Sequence, residues 1–268
     1  MTSLVQTPDE MISEAVMHVA ASAIPLIVEG QSDHLLLASL LDEHAVSVIR
    51  SGTRASALDV VEVLRMDALK DRKVGGLLVL VDRDLDLEPG RVGRLLVTTA
   101  CDLDSEACLV SGLLDRVVRH AHKLTSDEEV RLRVARVQEA AHAFHAARVT
   151  AWELGIGPNF GRLNPVIEAG DFTAASLTEA LDLEESKRDA FLSLLQQRLL
   201  EEPDLGNCRG HDVHLVMSWG TKGGRDRIQE LFAMGIDVQA FWTTATGAAM
   251  KAWSREVGVD VWRRHAAA

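Results

Sequence analysis

The stretch VGGLLVLVDRD, residues 74–84, constrains this chain more than any other. It is apolar without alternation, so both faces of the strand it forms must be buried. A strand buried on both faces belongs to a parallel sheet covered by helices. It also ends abruptly in Asp82 and Asp84. Other short β-rich runs lie nearby: IPLIVEG at 24–30, VSVIRSG at 46–52 and GRLLVTTACD at 93–102. Between the first three lie segments of helical spacing, SDHLLLASLLDEH and TRASALDVVEVLRMDALKDRK. The order β-α-β-α-β-link-β predicts an α/β fold. Its core is a parallel four-stranded sheet with right-handed crossovers. A first helix is expected over residues 8–22, with Asp9 and Glu10 near its start.

The pattern changes after residue 105. EACLVSGLLDRVVRHAHKL reads as helix, and Ser126 with Glu129 forms a capping box ahead of about seven helical turns. Further helices are expected over 173–200, in HDVHLVMSW, in GRDRIQELFAMG and in VQAFWTTATGAAMKAWSREVG. The chain therefore divides into an α/β part, 1–115, and an α-helical part, 116–268, suited to substrate guiding, partner docking or oligomerisation.

Composition narrows the function classes. The net charge is −12, with 18 acidic and 9 basic residues in 1–110 against 22 and 19 in the remainder. Such a surface does not attract nucleic acid globally. A polyanion must be met by a local basic patch, by metal ions or by another subunit. Three cysteines without a CxxC motif fit a reducing cytoplasm. The N-terminus lacks the basic and apolar regions of a signal peptide, and no run is long and apolar enough to span a membrane. With no tyrosine and 4% aromatics, a stacking platform for single strands is not expected.

The chemistry sits at strand ends. Glu29 ends the first strand, Asp82 and Asp84 the third, and Asp102, Asp104 and Glu106 follow the fourth. Ligands in open α/β sheets bind outside the carboxyl ends of the strands, so these acids converge on one rim. Converging carboxylates resist ionising together. A divalent cation relieves them, and Mg²⁺ or Mn²⁺ takes hard oxygen ligands while keeping several waters. Taken singly, an EG or a DxD is as readily a loop start, and Asp33 a helix N-terminal residue. The conjunction at one end of several strands carries the functional reading.

VEGQSD followed some fifty residues later by VDRD, on this frame, resembles a TOPRIM domain over roughly 24–115. More specifically, IVEGQSD, VLVDRDLD, TTACDLDSEACL and a later GHDVHLVM resemble the TOPRIM-like branch once filed as a domain of unknown function. It is related to the overcoming-lysogenisation-defect nucleases. The resemblance implies a Mg²⁺- or Mn²⁺-dependent nuclease acting on DNA or RNA. It also implies an anti-phage effector controlled by an ABC-type ATPase. Glu29 matches the family's general acid/base or metal ligand, and Asp82 and Asp84 its DxD ligands. Asp33 matches an acid of the nuclease branches. The branch's third motif is Asp-Leu-Glu; here it reads Asp102-Leu103-Asp104, leaving Asp104 or Glu106 as the third ligand. His211 and Asp212 match the GHD element, with no derivable chemical role or as a helix cap.

Other features are weaker. His120, His122, His142 and His145 read as surface or core histidines rather than a transition-metal site. GTKGGR at 220–225 lacks the full phosphate-loop pattern, although Lys222 and Arg225 could contact phosphate at a helix start. Arg116, Arg119, Lys123, Arg131, Arg133 and Arg136 form the densest basic run, either a strip guiding a strand to the acids or a solvated helix face. Gly30 would let a phosphate approach the backbone. Without tyrosine a tyrosyl-DNA intermediate is excluded, and three scattered cysteines do not supply a primase zinc module. The alternative class is a catalytically silent module docking on an ATPase, with the three tryptophans of residues 241–264 at an interface or in a helical core. Self-association remains open.

Overall fold

The computed structural model describes residues 5–263, and the chain forms two compact units. The first runs to Leu113 and is joined by the segment from Gln229 onward; the second is Leu114–Ile228. Where one division at 115 was expected, the chain divides after Leu113 and again after Ile228. The C-terminal segment, however, belongs with the α/β unit and not with the helical one.

The α/β unit opens with α1 (Pro8–Ala20), whose capping box pairs Thr7 with Glu10. Then come β1 (Ile24–Val28), α2 (Gln31–Leu40), β2 (Val46–Arg50), α3 (Arg54–Met66), α4 (Ala68–Lys73) and β3 (Leu78–Val81). Asp67 separates α3 from α4, its carboxylate accepting the Leu69 and Lys70 N–H groups. β4 (Gly90–Val92), β5 (Leu95–Val97) and α5 (Leu103–Cys108) follow. Strand order is β2-β1-β3-β5-β4. The four expected strands are present and parallel to one another, with β1 lying between β2 and β3. The sheet has five strands, not four, because the link after Asp86 adds an antiparallel edge, Val92 pairing with Leu95. Gly93, at φ +59°, is the first of the two residues of that hairpin turn, where a positive φ is needed. β4 is short, mostly exposed and carries an arginine, so neither length nor apolar pattern announces it.

Every residue of β3 is buried, as its unbroken apolar run requires. Met11, Ile12 and Ala15 of α1 and Ala57, Val60 and Leu64 of α3 share a core with Ile27, Ile49, Val79, Val81 and Val97. A fully buried Ile or Leu side chain contributes roughly 1.5–3 kcal/mol, so this layer fixes the sheet and hence the strand ends.

The C-terminal segment forms α13 (Val238–Phe241) and α14 (Ala245–Val257) once α12 (Gly224–Gly235) ends. The expected single helix is broken at Trp242–Thr244 because the Thr244 hydroxyl starts a new one, accepting the Gly247 N–H. Trp253 is buried and its indole N–H donates to the Gly76 carbonyl at 2.8 Å. Thr246 accepts the Thr99 N–H at 2.9 Å, and Leu41 bridges to Trp262. Gly247 packs so closely that an added Cβ would lie 2.1 Å from the Phe241 carbonyl oxygen. An Ala in a helix gains ~1 kcal/mol over Gly, but forcing a backbone carbonyl aside costs about 1–3 kcal/mol or more. Gly247→Ala is therefore expected to lower the thermal midpoint, which differential scanning calorimetry would read.

In the helical unit, α6 (Leu113–His122) leads to α7 (Asp127–Glu153), whose Ser126–Glu129 capping box is in place. α8 (Asn164–Ala169), α9 (Ala174–Ala180), α10 (Glu185–Arg198) and α11 (Gly210–Ser218) complete it. α7 is the long rod against which α10 and α11 pack. The three cysteines are buried, and none forms a disulfide. Among the described residues no helix is long and apolar enough to cross a membrane.

Candidate metal centre

β1, β2, β3 and β5 run in one direction, so the residues after each lie on the same sheet edge. That edge receives Glu29 after β1, the Ser51–Arg54 turn after β2, Asp82 and Asp84 after β3, and the 98–106 turn after β5. Backbone hydrogen bonds lock the turns together. The Gly52 N–H donates to the Glu29 carbonyl at 3.0 Å, Thr98 N–H to Val81 O at 3.0 Å, and Asp84 N–H to Cys101 O at 2.8 Å.

The side chains are tied just as tightly. Glu29 Oε1 accepts the Asp82 N–H at 2.8 Å, linking residues 53 positions apart. Asp82 Oδ1 accepts the Leu103 N–H at 3.2 Å, and Asp33 Oδ2 accepts the Gly30 N–H at 2.8 Å. Asp33 is 7% exposed and Asp102 6%. Burial raises the Glu29 carboxyl to about 7, with Asp33 and Asp84 adding to the shift and the Asp82 N–H and Arg54 opposing it. Burial also raises Asp33, with Asp102 adding to it. Asp82 is raised above all by burial and then by Asp33, Asp102 and Glu29. Four acids thus feel one another through a poorly solvated space.

Asp84 has the left-handed conformation, φ +48°, which Asp tolerates better than most residues. Its carboxylate meets Arg54 Nη1 at 3.1 Å, and the same guanidinium holds Asp86 through contacts of 2.8 and 2.9 Å. Arg54 was not anticipated from sequence. It stands at the first position of α3, after Thr53 as N-cap, where nothing local distinguishes it from any solvated arginine.

The third motif divides differently from expectation. Asp102 faces Asp82 and Asp33 electrostatically while capping α5 through the Ser105 N–H at 2.7 Å. Asp104 is buried in the first turn of α5. Glu106, 1% exposed, spends its two oxygens on the Ala100 N–H at 2.9 Å and the Thr246 N–H at 3.0 Å. Glu106 is thus a brace between the turn and α14, which corrects its expected place among the metal ligands. Asp102, the residue of that motif that the other acids feel, is the better third member.

The donor set is all oxygen, as Mg²⁺ or Mn²⁺ requires. Buried, mutually repelling carboxyls are also what a dication would relieve. The donors are not preassembled: among the described residues no group of three or more His, Cys, Asp or Glu side chains surrounds one point. Glu29, Asp33 and Asp82 instead face backbone N–H groups, and Asp84 faces Arg54. The chemistry fits a dication, and binding one requires these carboxylates to draw closer to one point than they are here.

Gly30 is the N-cap of α2 in extended backbone, and an added Cβ would meet only Asp33 and Ser32, at 3.6 and 3.9 Å. Neither φ nor packing demands glycine there. The four basic candidates belong to the helical unit. Arg119 pairs with Asp127, and Arg131 of the same basic run with Glu128. Arg116, Lys222 and Arg225 are exposed.

The GHD element is structural on its acidic side. Asp212 is 5% exposed and accepts two hydrogen bonds from Arg148 of α7, at 2.7 and 2.8 Å, while Arg148 lies 4.2 Å over the Phe160 ring. The expected helix cap is therefore a clamp between α11 and α7. His214, fully buried in the same helix, is lowered to about 3 by burial, with His211 and Arg225 adding to it. Removing one partner of a buried ion pair costs about 3–5 kcal/mol. Asp212→Ala should lower stability by about that much in urea unfolding, whereas replacing both Asp212 and Arg148 with apolar residues should recover part of it.

Comparison with protein-family models finds no match to this chain, and comparison with curated proteins finds none either.

Proposed function

We propose that this protein is a metal-dependent nuclease of the TOPRIM kind, hydrolysing phosphodiester bonds in DNA or RNA with Mg²⁺ or Mn²⁺. The single observation that supports this most is the rim itself: Glu29, Asp33, Asp82 and Asp102 share a poorly solvated space, in which burial and the neighbouring charges raise the proton affinity of Glu29, Asp33 and Asp82. Proteins do not gather buried carboxyls without a cation or a proton to hold. Glu29, Asp33, Asp82, Asp84 and Asp102 would hold the metal, with Asp104, buried in the first turn of α5, as a further candidate. A bound dication supplies charge neutralisation at the scissile phosphate and an activated water. Glu29 keeps Oε1 on the Asp82 N–H, which leaves Oε2 for the metal or for proton transfer to and from the attacking water. Asp82 is oriented by the Leu103 N–H. Control by an ABC-type ATPase and an anti-phage role extend the proposal to partners, resting on the motif resemblance alone.

The test is a cleavage assay on plasmid DNA and on bulk RNA with Mg²⁺, Mn²⁺ and chelator, with and without a candidate ATPase. Cutting that needs the metal supports the nuclease. Metal binding without cutting in any combination would favour a silent docking module, for which the Arg54-bound Asp84 is the supporting contact.

A further inference from the structure

The Asp84 carboxylate, a ligand in the reading above, is occupied by a cation of the chain's own. Arg54 is one-quarter exposed and forms ion pairs with Asp84 at 3.1 Å and Asp86 at 2.8 Å. The bidentate grip is on Asp86, which is half exposed and lies outside the acid cluster. The contact with Asp84 is a single bond from Nη1. Asp84 can therefore be released without stripping the arginine of its anchor. Arg54 also lies close enough to Glu29 to hold its carboxyl down. A guanidinium with donors still unspent, at the strand-end rim, is suited to a phosphate oxygen, which it binds in the same planar geometry as a carboxylate.

Resting on the nuclease reading, we propose that Arg54 is an exchangeable counter-ion. It neutralises Asp84 in the metal-free protein and passes to a non-bridging phosphate oxygen of the nucleic-acid strand when Asp84 is engaged as a metal ligand. The exchange makes no covalent change; one ion pair replaces another. It accounts for a rim whose donors have the right chemistry but are not preassembled, because one donor is turned toward Arg54. It also makes metal and strand mutually dependent: each is favoured by what the other displaces, and such coupling is reciprocal.

Two measurements with opposite signs test this. Calorimetric titration of Mn²⁺ without nucleic acid compares wild type, Arg54→Lys and Arg54→Met. Arg54→Met should bind Mn²⁺ about 5–10-fold more tightly, at the low end of typical coupling energies, because no guanidinium competes for Asp84. Arg54→Lys, which keeps the charge but loses the fork, should fall between. Fluorescence anisotropy with short hydrolysis-resistant DNA and RNA oligonucleotides, in saturating Mn²⁺, should show Arg54→Met binding the strand several-fold more weakly. Thermal unfolding of each variant reports its fold, and Arg54→Lys keeps the test sound if the Met variant is destabilised. An ion pair that merely stabilises the turn would move the two affinities together or leave both alone. Unchanged or weaker Mn²⁺ binding in a folded Arg54→Met protein overturns the inference. If wild type binds no Mn²⁺, the nuclease reading and the inference fall together; if wild type binds and Arg54→Met matches it, only the inference falls.

Discussion

Glu29→Gln is expected to lower metal-dependent cleavage by about 10²–10⁴-fold, the range that a positioned proton-transfer group contributes. The fold should be left intact. Glutamine keeps an oxygen that can accept the Asp82 N–H, the bond that joins the ends of β1 and β3. It cannot ionise, so it loses both the proton-transfer role and the negative charge facing a cation. Glu29→Ala should lose the same activity and some stability too, because the Asp82 N–H loses its acceptor. Single-turnover cleavage and thermal unfolding of both variants separate the effects. Activity in Glu29→Gln within a few-fold of wild type would remove Glu29 from the chemistry.

Asp82→Asn should stabilise the metal-free protein while weakening cation binding by at least ~10-fold, comparable to losses at metal-site supports. Glu29, Asp33 and Asp82 all have folded-state pKa values raised above their unfolded values, so protonation favours folding. Their contribution is fully present below the unfolded carboxyl range, near pH 4, and is lost as pH rises through the folded values. For Glu29 that window closes at about 7, and for Asp82 it lies higher. The contribution of these three carboxyls to the stability of the metal-free wild type should therefore fall from pH 4 to pH 8, opposed below about pH 6.5 by buried His214, whose lowered value favours folding as pH rises, with Mn²⁺ offsetting the loss at the upper end. Asparagine in place of Asp82 keeps an acceptor for the Leu103 N–H and deletes the charge. A gain of ~1–2 kcal/mol at pH 8, about 2–8 °C in midpoint for a chain of this size, should shrink toward pH 4. A site that sacrifices stability for function behaves in this way. A variant less stable than wild type at pH 8, without metal, would mean that the charge at Asp82 is already compensated.

Much of the fold was legible because burial wrote it into the apolar pattern. β3 could be read from a run with no polar residue, and β1, β2 and β5 from short apolar runs closed by Gly or Asp. β4 was not legible: its three residues include a glycine and an arginine, and it exists through its pairing with β5. Nor was the return of α14 to the α/β unit, which depends on contacts such as Trp253 to Gly76 and Glu106 to Thr246, more than a hundred positions apart. Site membership followed the same divide. Glu29, Asp82 and Asp84 follow strand ends fixed by parallel pairing, and Asp33 lies in the first turn of the helix after β1, so their arrival at one sheet edge could be inferred. Choosing among Asp102, Asp104 and Glu106 required knowing which way each side chain of the α5 turn points, and one residue's shift in a helix changes the face by about 100°. Arg54 carries no local signature, and its role emerges only beside Asp84 and Asp86.

The central claim is that protons occupy a place a divalent ion would take. Calorimetric titration of Mn²⁺ into the wild type and Asp82→Asn at pH 7, in two buffers of different ionisation enthalpy, tests it most directly. The account predicts one saturable process in wild type that releases protons to the buffer, and at least ~10-fold weaker binding with less proton release in the variant. Binding that releases no protons and is indifferent to Asp82, or no saturable binding at all, would contradict it.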